Sequence, residues 1–176
     1  MKKVFTTLLL LCAICASGQS GEDESRGYTV KVGQKAPDFT IAYPDGKTAK
    51  LSDLKGKVVM IQFTASWCGV CRKEMPHIES DIWLKHKNNP EFALIGIDYK
   101  ESKAKTAEFA RQIKVTYPLT PDESGEIFHK FATKGAGVTR NVVLDRDGKI
   151  IFLTRLYDPE EFKEMKSVIE AELKKK

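Results

Sequence analysis

Metal ligands, disulfide partners and long apolar runs are all scarce in this chain, and each shortage removes a class of protein. Its 176 residues include four cysteines and three histidines, His77, His86 and His129. Two of the cysteines, Cys12 and Cys15, stand in the opening stretch MKKVFTTLLLLCAICASGQS. That stretch has a basic start at Lys2 and Lys3, an apolar run from Val4 to Ala16 and a small-residue exit at Ala16-Ser17-Gly18, the pattern of a secretory signal peptide. The run falls short of the about 20 residues that a transmembrane helix needs. Cleavage after Gly18 is therefore expected, with residues 1–18 removed on export to the periplasm or cell envelope. Lipid attachment at Cys12 or Cys15 is the alternative, disfavoured by the bulk of Leu11 and Ile14 just before them.

Cleavage leaves only Cys68 and Cys71, too few for a scaffold held together by disulfides. A bridge closing so short a loop also constrains the unfolded chain little. Structural zinc takes four ligands. Cys68, Cys71 and His77 could approach one another on one helix, but no fourth ligand is evident. Covalent haem calls for a histidine directly after the second cysteine, and Arg72 stands there. No cofactor is implied. Excess charge is scarce as well: without Lys2 and Lys3, 27 basic residues face 24 acidic ones. They are scattered, and Lys174-Lys175-Lys176 is a solvated helix end, so nucleic acid is not implied.

What is present is an alternation of strand and helix patterns. Residues 19–30 begin polar and charged and read as a flexible leader, so a single domain is expected over residues 31–176. Asp45-Gly46 lies between short extended stretches, a hairpin signal. Val58–Phe63 and Phe92–Ile97 are apolar runs of the kind that form strands buried on both faces. A helix starts near Cys68, is kinked by Pro76 and stops at Asn88-Asn89-Pro90. Further helices are expected over Glu101–Lys114 and Ser124–Phe131. Val142–Leu144 and Ile150–Leu153 flank a turn at Asp145-Arg146-Asp147-Gly148. A last helix from Pro159 lines up Phe162, Met165, Ile169 and Leu173 on one stripe. The order β-α-β-α, hairpin, α argues for an α/β fold with a mixed central sheet flanked by helices.

The cysteine pair fits redox chemistry better than a metal clip or a staple. Cysteines at i and i+3 on a helix's first turn share a face and can form a disulfide. The first, Cys68, sits where unpaired N–H groups and the helix dipole favour an anion, so its thiol ionises more readily and attacks disulfides. Cys71, one turn inside, is placed to resolve the mixed disulfide.

Ala65-Ser66-Trp67-Cys68-Gly69-Val70-Cys71, followed by Glu74 and Pro76, resembles the active-site segment of thioredoxin-fold proteins. With the leader GQKAPDFT…DGK…LSDLKGKVV and the export signal, the chain is similar to the TlpA/ResA-type thiol–disulfide oxidoreductases of the redoxin superfamily. The likeness runs from about Val32 to the C-terminus. It implies a thioredoxin-like fold with an N-terminal β-hairpin. It also implies exchange of the Cys68–Cys71 dithiol with protein clients and an upstream thiol donor, the chain acting as a monomeric reductant. By the same resemblance Trp67 flanks the site, Glu74 lies near the dithiol and influences proton transfer, and Pro76 kinks the helix. A purely solvated helix charge is the competing reading of Glu74, and a core aromatic that of Trp67. Gln62 stands where thioredoxins proper carry a buried aspartate.

One departure is plain. Such proteins place a cis-proline opposite the dithiol, and here that position is Thr139, in GAGVTRNVVLD. A cis bond costs about 2.5–4 kcal/mol before other residues, so a trans Val138–Thr139 bond is expected. Thr139 is still expected to face Cys68, with Val138 as the backbone contact for a substrate segment. Peroxiredoxins are the nearest rival. Their proline seven residues before the reactive cysteine and their Thr or Ser three before are Ile61 and Ala65 here, although Arg140 could mimic their arginine. A non-enzymatic binding module is a third possibility, opposed by the intact Trp67, Cys68 and Cys71.

Overall fold

The computed structural model describes residues 26–175. The signal-peptide reading, the possible lipid anchor at Cys12 or Cys15 and most of the polar leader lie outside the described residues. Among the described residues no helix is long and apolar enough to cross a membrane.

Strands β1 (Thr40–Ala42) and β2 (Thr48–Lys50) form the expected hairpin, a separate two-stranded antiparallel sheet. Its turn closes on Gly46, whose φ of +88° only glycine adopts without strain. The main sheet has five strands in the order β5-β4-β3-β6-β7: β3 (Val58–Thr64), β4 (Phe92–Tyr99), β5 (Leu119–Asp122), β6 (Arg140–Leu144) and β7 (Ile150–Arg155). β3, β4 and β5 run parallel, while β6 and β7 are antiparallel additions. Every residue of β3 is buried, as its uninterrupted apolar run requires of a central strand.

Helix α1 (Gly69–Ile78) follows β3 directly and runs on through a π-helical turn at Glu79–Trp83 and a short segment, Leu84–His86. Pro76 lies inside α1. Lacking an N–H, it cannot complete the hydrogen bond from its position, and the widened π turn sits just beyond it. Helices α2 (Lys103–Ile113), α3 (Glu126–Phe131) and α4 (Pro159–Lys174) complete the fold. The start of α4 is fixed by Asp158, whose carboxylate accepts the N–H groups of Glu160 and Glu161 at 3.0 and 2.9 Å, with Pro159 at the first helical position.

Successive β3 side chains point to opposite faces of the sheet. Thr64 donates to the sulfur of Met75 in α1 at 3.2 Å, whereas Phe63 packs edge-on against Phe128 of α3, with centroids 5.5 Å apart. Helices α1 and α3 therefore cover opposite faces. The strand directions then bring the end of β3, the start of β6 and the end of β7 to one rim of the sheet.

Two expectations change. Strand β5 was not anticipated, because Leu119-Thr120-Pro121-Asp122 is short and contains a proline. At the sheet edge that missing donor is tolerated. Residues 26–30 are also not a free leader. Tyr28 and Val30 are buried, and Tyr28 forms an antiparallel bridge with Ala132.

Candidate active site

Cys68 is the N-cap of α1, with φ −86° and ψ 105°, and its sulfur accepts the Cys71 N–H at 3.1 Å. An extended residue at that position aims its side chain back over the first helical turn, which brings the two sulfurs together as a disulfide. Cys68 is 8% exposed and Cys71 0%, so only the first offers its sulfur to an incoming group. Trp67, directly before it, is 65% exposed: the tryptophan is no core aromatic here.

Thr139 closes the site from the loop that leads into β6. Its Oγ1 lies 3.2 Å from the Cys68 sulfur and 3.2 Å from that of Cys71. Every peptide bond among the described residues is trans, including that between Val138 and Thr139. Val138 is buried, and the Leu156 N–H donates to the Thr139 carbonyl at 3.0 Å, which holds this loop against the end of β7.

Glu74 is not a solvated charge. It is 1% exposed, one turn beyond Cys71 on the same face of α1, and its Oε1 accepts the Asn141 Nδ2 at 2.6 Å. Asn141 is itself held by Thr154 Oγ1 at 2.9 Å. Burial raises the Glu74 carboxyl from 4.5 to about 7, partly offset by the amides of Asn141 and Gln62. Gln62 lies wholly inside and accepts the Tyr117 hydroxyl at 2.7 Å, a neutral group at a place open to an acid.

The structure adds two acids that the sequence reading passed over. Glu101 accepts the Ser66 N–H at 2.8 Å and the Ser66 hydroxyl at 2.5 Å, while Arg72 Nε donates to the Ser66 carbonyl at 2.6 Å. The peptide two residues before Cys68 is thus gripped from both sides. Asp98 is buried beside Glu101, and burial, with the neighbouring Glu101 carboxylate, raises its carboxyl well above the usual range. Glu101, bound by Ser66, is lowered. One faint signal was legible: an acid just past a buried strand, at the strand end where α/β sites gather.

Two other residues go elsewhere. His77 stacks on Tyr157, with ring centroids 5.2 Å apart. Arg140 donates to the carbonyls of Gly137 and Arg26 at 2.9 and 2.8 Å and lies over the Tyr28 ring, so its guanidinium is committed to the N-terminal segment rather than to the sulfurs.

A mixed sheet carrying a Cys-x-x-Cys disulfide on the helix after its central strand, faced by a residue from the loop before the antiparallel strand beside it, defines a thioredoxin-fold thiol–disulfide oxidoreductase. The chain belongs to the Redoxin family, whose model matches residues 31–171. It is 30% identical over 156 residues to the thiol-disulfide oxidoreductase ResA of Bacillus cereus, covering 86% of this chain and 88% of that protein. A solution structure from Bacteroides thetaiotaomicron, assigned as a protein disulfide isomerase, is similar at 60% identity and a TM-score of 0.82, over 85% of this chain and 94% of that one. A Chlorobium tepidum crystal structure assigned as the thiol:disulfide interchange protein DsbE shares 26% identity and a TM-score of 0.70, over 82% and 99% of the two chains.

Proposed function

We propose that the chain is an exported, monomeric reductant of disulfides in other proteins, recharged by an upstream thiol donor. Support for export is the signal-peptide pattern at Lys2 to Gly18. The observation that carries the chemistry is the Cys68–Cys71 pair at a helix N-terminus with the Thr139 hydroxyl beside both sulfurs.

In the reduced protein the Cys68 thiolate attacks one sulfur of a client disulfide, forming a mixed disulfide and releasing the other client sulfur as a thiolate. The helix dipole, the Cys71 N–H and the Thr139 hydroxyl all favour the negative charge on Cys68. Cys71 then gives up its proton and attacks the Cys68 sulfur. The second client thiol leaves, and the chain retains the Cys68–Cys71 disulfide. Two electrons have passed to the client. Glu74, one turn from Cys71 and titrating near neutrality, is the acceptor suited to that proton. Once ionised it also disfavours a second negative charge nearby, which favours the disulfide form and so a reducing couple. Trp67 and Val138 border the entry, and Pro76 shapes the helix behind it.

Insulin-disulfide reduction compared with hydrogen peroxide consumption under one thiol donor tests the reading. Insulin reduction that Cys68→Ser abolishes, with a reduction potential near −270 mV rather than near −120 mV, is expected. Fast Cys68-dependent peroxide turnover without insulin reduction overturns it in favour of a peroxidase.

A further inference from the structure

Leu156 carries an unusual combination of features. Among the described residues three non-glycine residues have positive φ, and Leu156, at +64°, is the apolar one. The left-handed region is unfavourable for a branched side chain and is usually left to glycine or asparagine. The side chain is not buried in compensation: Leu156 is 46% exposed and, with Trp67 and Leu84, is one of the large hydrophobic residues left in solvent. Neither the backbone nor the exposure serves stability.

Its position links it to the site. The Leu156 N–H holds the Thr139 carbonyl at 3.0 Å, and Thr139 Oγ1 touches both sulfurs. Trp67 lies at the end of β3 and Leu156 at the end of β7, two strands away on the same rim of the sheet. Strand β6, which follows directly on Thr139, lies between β3 and β7, so Leu156 borders the loop that faces the dithiol from the side of β7. In that loop Val138 has no hydrogen bond on its N–H or C=O among the described residues. That leaves backbone groups for an extended segment to pair with.

We infer that Leu156 is a specificity-determining residue for disulfide exchange, selecting extended client segments that carry a large apolar side chain two residues from the reacting cysteine. The inference rests on the exchange reading above. A strand paired with Val138 and presenting its cysteine to Cys68 turns the residues two before and two after to the same face, about 7 Å away along the chain. The one turned toward the end of β7 meets Leu156. A polar side chain at that place leaves Leu156 in water and gains nothing.

The test uses reduced protein and two peptides, each with one cysteine linked by a disulfide to thionitrobenzoate. One has leucine and the other serine at both flanking positions. Attack by Cys68 breaks the peptide disulfide, Cys71 resolves the product and coloured thiol is released. The unmodified chain is expected to favour the leucine peptide by about 10-fold, the low end of what one apolar contact contributes to selectivity. In Leu156→Gly and Leu156→Asn, both suited to the left-handed backbone, the preference should fall below about 2-fold. The melting temperature should not fall in Leu156→Gly, and relief of the left-handed leucine is expected to raise it by about 2–4 °C. Release that stays fast with an unchanged 10-fold ratio in both variants overturns the role of Leu156 alone. No release from either peptide, or release that survives Cys68→Ser, overturns the exchange reading and this inference with it.

Discussion

Glu74 shows how a single buried group turns a catalytic setting into a stability cost. Its carboxyl is raised from 4.5 to about 7, chiefly because burial penalises the charged form. Between those pH values the folded chain holds a proton that the unfolded chain has released. Stability therefore falls as pH rises through this window, and the whole penalty is present above about pH 7. At about 1.4 kcal/mol per tenfold, the difference is on the order of 3 kcal/mol. Glu74→Gln keeps an acceptor for Asn141 without the ionisation. Urea denaturation should show the variant gaining about 3 kcal/mol relative to the unmodified chain between pH 5 and pH 8. Asp98 contributes a slope of the same sign to both proteins and cancels. A pH-independent difference between them would remove the perturbed carboxyl from the account. Local pattern alone does not reveal this environment, because Arg72-Lys73-Glu74 reads as a polar helix surface; only the resemblance sets Glu74 near the dithiol. Burial of the third member depends on Asn141 arriving from β6, 67 residues away.

At the scale of elements, β4 and β5 meet through a glycine. A Cβ at Gly96 would overlap the Leu119 side chain and press on Tyr117, whose hydroxyl supports Gln62. Gly96→Ala is expected to destabilise by about 1–3 kcal/mol, the usual cost of overpacking. Leu119→Ala in the same chain should recover part of that loss, so a double-mutant cycle gives a coupling of the opposite sign. Additive effects would mean that the two strands pack without this contact. The elements legible in the sequence were those with an unbroken local signal: the apolar run of β3, the Cys68 start of α1, the Asp45-Gly46 hairpin and the Pro159 start of α4. Strand β5 was hidden by Pro121, and the π turn after Pro76 has no marker of its own. At the site, the two cysteines follow from spacing along the chain, and the place of Thr139 from the resemblance to proteins that carry a cis-proline there. The grip of Glu101 on Ser66 does not, since it joins two loops that meet only when β3 and β4 pair.

The whole molecule is closed by its N-terminal segment, which reaches back to the strand carrying the site. Arg26 pairs with Glu161 of α4 at 2.6 Å, and the Thr29 N–H bonds the Phe131 carbonyl at 2.9 Å. The Tyr28 hydroxyl donates to the carbonyls of Asn141 and Thr154, while its ring lies 4.5 Å beneath the Arg140 guanidinium. Arg140 in turn holds the Gly137 carbonyl, two residues before Thr139. Tyr28 thus braces both β6 and the loop that faces the dithiol. Two variants separate its contributions. Tyr28→Phe loses only the hydroxyl and is expected to cost about 1 kcal/mol, lowering the melting temperature by about 2–4 °C. Tyr28→Ala also loses the ring beneath Arg140, at a further cost of about 3 kcal/mol, and leaves that buried cation poorly packed. Its melting temperature should fall by roughly 10 °C, and Cys68 alkylation in the reduced protein should change with the loosened Thr139 loop. A solvated leader at residues 26–30 would predict the reverse, with both variants melting within about 1 °C of the unmodified chain, as substitutions away from packed features do.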